Sequence, residues 1–386
     1  MRRIFYVVLA VLVIFSSGFG CESNKYITSI GKADSVATVA VREPVNAKDI
    51  NIIKDLDYVI LEAKDNAFFG NISKLRVYQD RIFVFDSQHA QALFIYTIEG
   101  KHIATVGNKR GRGPEEFVRM SNFEIDYVNN QILAMDNFGW KFMIYDLDGN
   151  FIKRVNSDIS VSKAVLLPNG NILHAVSHLH TNNRRKTNQI FVVDENNSIV
   201  KEFFEYRGNR NLLYSIDDVI KSQFDGSFIF APAFRDTIFT FDEDLEIVPK
   251  YAIDLGNRHI TQRTFDRLRS HDELNALVQR GSMCFLGTHS ETDDFLYLRL
   301  GAATHDEFVF FNKNTNKTIA IHCDARITDY EFAFYRILGT DADGYFYGAI
   351  NFAWDLDEFF KLFPEKPKVD TSEEMNPVVF KYKVEF

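Results

Sequence analysis

Cysteine and proline are scarce in this chain, at 3 and 8 of 386 residues. Cys21 stands near the start, while Cys284 and Cys323 lie far apart in apolar, strand-like surroundings with no CxxC pair. That spacing argues against a cysteine-built zinc site and leaves open one disulfide between Cys284 and Cys323. Positive charge is also short: 44 Lys and Arg face 53 Asp and Glu, a net charge of -9. Bulk nucleic-acid binding is therefore not expected. With 46% apolar and 25% charged residues the composition excludes both a disordered chain and a polytopic membrane protein. What the chain has instead is aromatic: 37 Phe, 16 Tyr and 2 Trp, a bias that favours strands.

Arg2 and Arg3 precede an apolar run from Ile4 to Phe15, and the small residues Ser16, Ser17, Gly18 and Gly20 lead into Cys21. Residues 1–20 thus read as a secretory signal whose apolar run is too short to span a bilayer comfortably. A small residue directly before a cysteine resembles the bacterial lipobox, in which Cys21 would be diacylated and become the mature N-terminus. An ordinary cleaved signal is the alternative, because Gly18 and Phe19 stand where an aliphatic and a small residue are commoner. Removal of residues 1–20 takes away Arg2 and Arg3 and no acid, so the mature charge becomes -11. Residues 21–50, poor in large apolars, read as a lipid-anchored tether of low order, and 51–386 as the body.

Within the body one short pattern occurs six times, a polar or Gly turn followed by a strand of alternating large apolars. The turns are Gln79-Asp80, Asn129-Asn130, Asn169-Gly170, Asp225-Gly226, Asp293-Asp294 and Asp343-Gly344. Each predicts a hairpin. A second anchor follows each of the first five turns, at Tyr96, Tyr145, Val193, Phe241 and Phe311, with spacings of 49, 48, 48 and 70 residues. The excess in the last interval falls on 261–280, where Phe265, Leu268, Leu274, Leu277 and Val278 form a broken helical stripe and Ser270 with Glu273 a capping box. Units of 40 to 50 residues with four strands predict an all-β, six-bladed β-propeller with a short helical insertion between blades 4 and 5. The last unit lacks a fourth strand, and the segment Asp57–Glu62 is expected to supply it by pairing with Val378–Val384.

The stretches GNKRGRGPEEF at 107–117, FRDTIFTFD at 234–242, PKYAIDLG at 249–256 and NPVVFKYK from Asn376 resemble the six-bladed, NHL-like β-propeller lipoproteins of Bacteroidetes. The resemblance covers about residues 51–386. It implies a propeller in the cell envelope, an outer-membrane lipoprotein of unresolved leaflet, and it brings no catalytic set and no cofactor.

GNKRGRGP carries three glycines without the GK[ST] or GxGxxG pattern of a phosphate loop, so a structural crossing between blades is the better reading. His174, His178 and His180 share one strand face and are the weak metal candidates. In four-stranded antiparallel blades all long connections emerge on one side. Residues 108–119, 178–189, 205–212 and 257–282 there carry net charges of +2, +3, +1 and +2, while 324–335 and 353–376 carry -2 and -4. The basic sector holds Lys109, Arg110, Arg112, Arg184, Arg185, Lys186, Arg207 and Arg210. A non-catalytic binding propeller whose partner is an envelope protein or an acidic glycan is the expectation; a metal-dependent lyase or hydrolase in the central channel is the alternative.

Overall fold

The computed structural model describes residues 36–63, 67–158, 163–175, 188–205, 220–232, 235–241, 246–265, 267–301, 306–323, 333–334, 337–351, 353–366 and 375–386. In these residues the six expected hairpins open six antiparallel sheets arranged as the blades of a propeller. Blade I holds β4 (Lys74–Tyr78), β5 (Arg81–Asp86), β6 (Ala92–Thr97) and β7 (His102–Val106). Blade II holds β8 (Asn122–Asp126), β9 (Gln131–Asp136), β10 (Lys141–Asp146) and β11 (Phe151–Asn156). Blade III holds β12 (Lys163–Leu166), β13 (Ile172–Ala175), β14 (Asn188–Val193) and β15 (Ile199–Glu205). Blade IV holds β16 (Ile220–Ser222), β17 (Phe228–Phe230), β18 (Thr237–Phe241) and β19 (Ile247–Asp254). Blade V holds β20 (Cys284–Glu291), β21 (Phe295–Gly301), β22 (Asp306–Asn312) and β23 (Thr318–His322). Blade VI is completed from both ends of the chain, in the order β24 (Ile337–Thr340), β25 (Phe346–Ile350), β26 (Val378–Val384) and β3 (Ile53–Val59).

The second and third strands read IFVF, ILAM or FVFF because both of their faces are covered by neighbouring blades, and their residues are buried on both sides. Outer strands such as β11, with Ile152, Lys153 and Arg154 exposed, meet solvent instead. Among the described residues six apolar clusters fill the spaces between successive blades. At Gln79 and Asp80 the hairpin turn takes φ of 46 and 57°, the left-handed pair that suits the twist of the flanking strands.

Three findings depart from the sequence reading. The closing strand is Ile53–Val59, a few residues earlier than Asp57–Glu62, with Phe380 opposite Tyr58 and Val379 opposite Val59. The segment read as tether is structured from residue 36: β1 (Ala37–Ala40) adds in parallel to the outer strand of blade IV, and β2 (Val45–Asn46) does the same on blade V. The chain therefore wraps the outside of two blades before it closes the third. Finally, a helix α3 (Ala353–Phe360) lies between the second and third strands of blade VI, in a stretch read only as a charged connection.

The expected insertion between blades IV and V is present as α1 (Gln262–Phe265) and α2 (His271–Gln279). The Ser270 hydroxyl accepts from the Glu273 N–H at 3.3 Å, and the Glu273 carboxylate accepts from the Arg269 N–H at 2.7 Å. Phe265, Leu268 and Leu274 cluster with Ile260 and Cys284, so the insertion has a small core of its own. Cys284 and Cys323 are both free thiols. Burial pushes the Cys284 thiol up to about 12, which leaves it protonated and unreactive at neutral pH.

Candidate functional site

Among the described residues, two buried aspartates hold the connections that border the second strands of blades I and II. Asp86 ends β5, and its carboxylate accepts the N–H groups of Gly70, Gln88, His89 and Ala90 at 2.9–3.3 Å. Asp136 ends β9 in the same way and accepts from Val118 at 2.7 Å, Arg119 at 3.2 Å and Gly139 at 2.7 Å. One carboxylate thus ties the turn of its own blade to the chain arriving from the blade before. A carboxylate needs several donors to be stable when buried, and loop N–H groups are the donors available here. The signal was present as the Asp that ends RIFVFD and QILAMD, but only the turns in front of those strands drew notice.

GNKRGRGPEEF forms the crossing from blade I to blade II. Gly107 takes φ +92°, and a Cβ there would come within 2.8 Å of Met120 Sδ. Gly111 also has positive φ, and any side chain there would meet the Glu116 carboxylate, which accepts the Gly113 N–H at 2.8 Å. The crossing folds on itself through Phe117, fully buried, whose N–H donates to Lys109 O and whose carbonyl accepts from Gly111 N–H, both at 2.9 Å. Of the basic residues singled out in it, Arg110 donates to the carbonyls of Ala90 and Gln91 at 2.7 and 3.2 Å, which ties the crossing to the blade I turn. Lys109 is exposed and lies 3.5 Å from Glu115, and Arg112 is exposed. Arg184, Arg185, Lys186, Arg207 and Arg210 lie outside the described residues, as do His178 and His180.

The first strand of each blade borders the central channel, and among the described residues its inner edge has no strand partner. Side chains serve some of the edge carbonyls. Arg76 donates to Leu75 O at 2.9 Å and across to Leu338 O of blade VI at 3.3 Å. Lys221 donates to His289 O of blade V, and the Thr340 hydroxyl donates to Glu291 O at 2.9 Å. Glu124 of blade II receives Lys74 at 2.8 Å and Arg76 Nε at 2.9 Å, all three groups being buried. Neighbouring blades are thereby fastened by charge-assisted bonds where the sheets have no ladder to share. At the short-turn end Tyr78 meets Tyr127 edge to face and Tyr127 meets Phe224 at a tilt, each at 4.8 Å, so side chains of blades I, II and IV touch there.

His174 is not turned toward these groups. It sits on β13 opposite Ala164 and Phe191, in the core between blades II and III, with its ring edge-on to Phe142 at 5.2 Å. Neither ring nitrogen has a partner, and desolvation lowers its pKa to about 3, so it is a neutral core residue. Among the described residues no group of three His, Cys, Asp or Glu side chains is placed to hold a metal ion.

Among the described residues, blade II adds two exposed aromatic rings on this side. The turn from β9 to β10 carries Phe138 and Trp140, 59% and 50% exposed, and the Arg119 guanidinium stands 5.4 Å over the Phe138 ring. Sequence reasoning, drawn to charge, passed over these two aromatics.

Six four-stranded blades around a channel, with pinned connections on one side and tight turns on the other, define a six-bladed β-propeller. The chain belongs to the family described as Domain of unknown function (DUF4934), which matches residues 35–383. That match begins where the wrapping strand begins. A structure of a Bacteroides fragilis protein described as exported is similar, with 17% identity, a TM-score of 0.65, and coverage of 91% of this chain and 100% of its own. A member of the DUF4221 family from Bacteroides vulgatus is 11% identical, with a TM-score of 0.51 and coverage of 86% and 98%. At these identities the likeness is one of fold. A comparison with curated proteins finds no match.

Proposed function

We propose that this protein is an exported, envelope-anchored NHL-like propeller that binds an acidic glycan or an acidic face of an envelope protein without transforming it. The observation that carries this reading is the long-connection side itself. Its described connections on blades I and II are held by buried aspartates, while Lys109, Arg112 and Arg119, together with two aromatic rings, face solvent. Such a surface is built to receive rather than to react, and Arg suits carboxylate, sulfate and phosphate groups through its forked donors. The exported relative from Bacteroides fragilis supports the location. Among the described residues no helix is long and apolar enough to cross a membrane, which is compatible with an anchor at Cys21.

The direction of β1 supports an orientation as well. It runs parallel to β19, from Ala37 opposite Tyr251 to Ala40 opposite Asp254, so the chain comes in from the short-turn side. An anchored protein then presents its long-connection side away from the lipid. The test is a binding panel of acidic glycans and envelope extracts against wild type and the Arg184→Glu, Arg185→Glu, Lys186→Glu variant. Weaker, salt-sensitive binding by the variant is expected, since exposed charges are screened beyond about 10 Å at 0.1 M salt. Stoichiometric zinc or calcium in the purified protein, with turnover of a bound glycan, overturns the non-catalytic reading.

A further inference from the structure

Trp140 occupies a position where the fold asks only for a left-handed backbone. Its φ is +54°, immediately before β10, and Gln91 takes φ +51° immediately before β6 in blade I. A polar Gln does the structural work in one blade; the other has an indole that is half exposed. Bulky side chains are uncommon at positive φ, and strained, exposed residues of this kind gather at ligand sites. The turn around it is held by Asp136, which accepts from Gly139 within it and from Val118 and Arg119 beside it. Phe138, capped by Arg119, and the exposed Val118 extend the apolar surface.

We infer that this blade II turn is a saccharide subsite, in which Trp140 and Phe138 stack against the C–H face of pyranose rings and Arg119 takes a ring carboxylate. The inference rests on the binding role proposed above and names its ligand class, an acidic oligosaccharide. Charge selects that class: Arg119 stands on the platform itself, Arg112 is exposed on the same connection, and the connection as a whole is net positive. Size selects a sugar over a protein. The exposed platform is two rings and one guanidinium, whereas a stable protein partner needs about 800 Å² on this side. Aromatic rings with two side-chain torsions lose little entropy when they stack, so a few residues suffice.

The chain has two tryptophans, and in a Trp354→Phe background Trp140 reports alone. Hexagalacturonate, a heparin-derived hexasaccharide and neutral cellohexaose are titrated while indole emission is followed. Trp140→Gly keeps the left-handed backbone, and thermal melting checks that it stays folded. We expect an acidic hexasaccharide to shift Trp140 emission, to bind at least tenfold more weakly to Trp140→Gly in calorimetry, and to be preferred over cellohexaose. Equal affinity for Trp140→Gly overturns the subsite; if the Arg184→Glu, Arg185→Glu, Lys186→Glu variant then loses binding, the general binding role stands without it. Equal affinity for cellohexaose overturns the acidic class, and failure of wild type to bind either acidic probe overturns the subsite as well.

Discussion

Phe380, on the last strand of the chain, lies directly opposite Tyr58, on a strand that precedes the first blade. This pair closes the ring, and the Tyr58 side chain is held from outside the sheet. Phe359, Phe360 and Phe363, on and just after α3, contact its ring at 5.7, 5.2 and 4.7 Å, and the Lys366 ammonium stands 4.1 Å over it. Lys366 also pairs with Asp57 on the same strand. Tyr58→Ala removes the ring that these four residues grip. We expect a loss of about 2–3 kcal/mol, less than for a fully buried aromatic because Tyr58 is partly exposed. Deleting residues 378–386 removes the partner strand and opens two sheet edges, and should yield aggregated protein. Unchanged melting of either variant in thermal denaturation contradicts this closure.

Glu124 is shared by Lys74 and Arg76 of the neighbouring blade, with all three side chains nearly excluded from solvent. Its removal takes the shared counter-charge away from two buried cations, whereas apolar replacement of all three leaves no buried charge. Glu124→Ala should therefore cost about 3–5 kcal/mol, and the triple variant Lys74→Met, Arg76→Met, Glu124→Leu should cost less than the single one. Chemical denaturation of both proteins measures the difference, and a triple variant worse than Glu124→Ala would falsify the account.

His174 gives the protein a dependence on acid. Its pKa is lowered by burial to about 3 in the folded state, against about 6.5 in an unfolded chain. Between these values the unfolded state binds a proton that the folded state refuses. This contribution is thus fully favourable above about pH 6.5 and is lost as pH falls toward 3. At pH 4.5, two units below the unfolded value, the loss is about 3 kcal/mol, from roughly 1.4 kcal/mol per unit. His174→Leu removes the titration together with two unpartnered nitrogens, so its stability should fall less steeply than that of wild type from pH 6.5 to 4.5. Parallel pH slopes of the two proteins in urea titrations rule the mechanism out.

The six hairpins were legible because a two-residue turn and a run such as RIFVF or QILAM carry their signal locally, in backbone angles and period-two side chains. Closure of the ring was legible for a different reason: five complete units and an incomplete sixth demand a strand from elsewhere. The exact strand was not, because Ile53–Val59 and Asp57–Glu62 both alternate and only the register with Val378–Val384 decides between them. The wrapping strands escaped notice because Ala37–Ala40 and Val45–Asn46 are too short to show a period, and their order comes from pairing with distant edges. On the candidate site, charge was readable and burial was not. Arg110 looks like ligand chemistry in the sequence, yet it serves the carbonyls of Ala90 and Gln91. Trp140 and Phe138 carry no charge to mark them in the sequence, and they stand in solvent.

The anchor at Cys21 and the wrapping strand make separable predictions. Cys21→Ser should leave the membrane fraction and enter soluble extracts, and membrane retention of that variant overturns lipidation there.

The strand itself is held by apolar contacts rather than by charge. Val39 and Val41 are buried in the core between blades IV and V, at 0% and 2% exposure, whereas the Arg42 guanidinium meets Asp254 at 3.2 Å in open solvent. An exposed pair of long side chains gains little, because water screens it and ordering costs entropy. Buried methyl groups gain more, at about 0.8 kcal/mol each before any cavity cost. Val39→Ala should therefore lower stability by about 2 kcal/mol, while Arg42→Ala should leave the denaturation midpoint where it is. If both variants unfold with the wild type, the strand from Ala37 to Ala40 is a passenger on blade IV. If Val39→Ala alone unfolds early, the residues that lead from the anchor are part of the propeller's core, and any truncation past residue 36 exposes the outer edge of β19 to pairing with other chains.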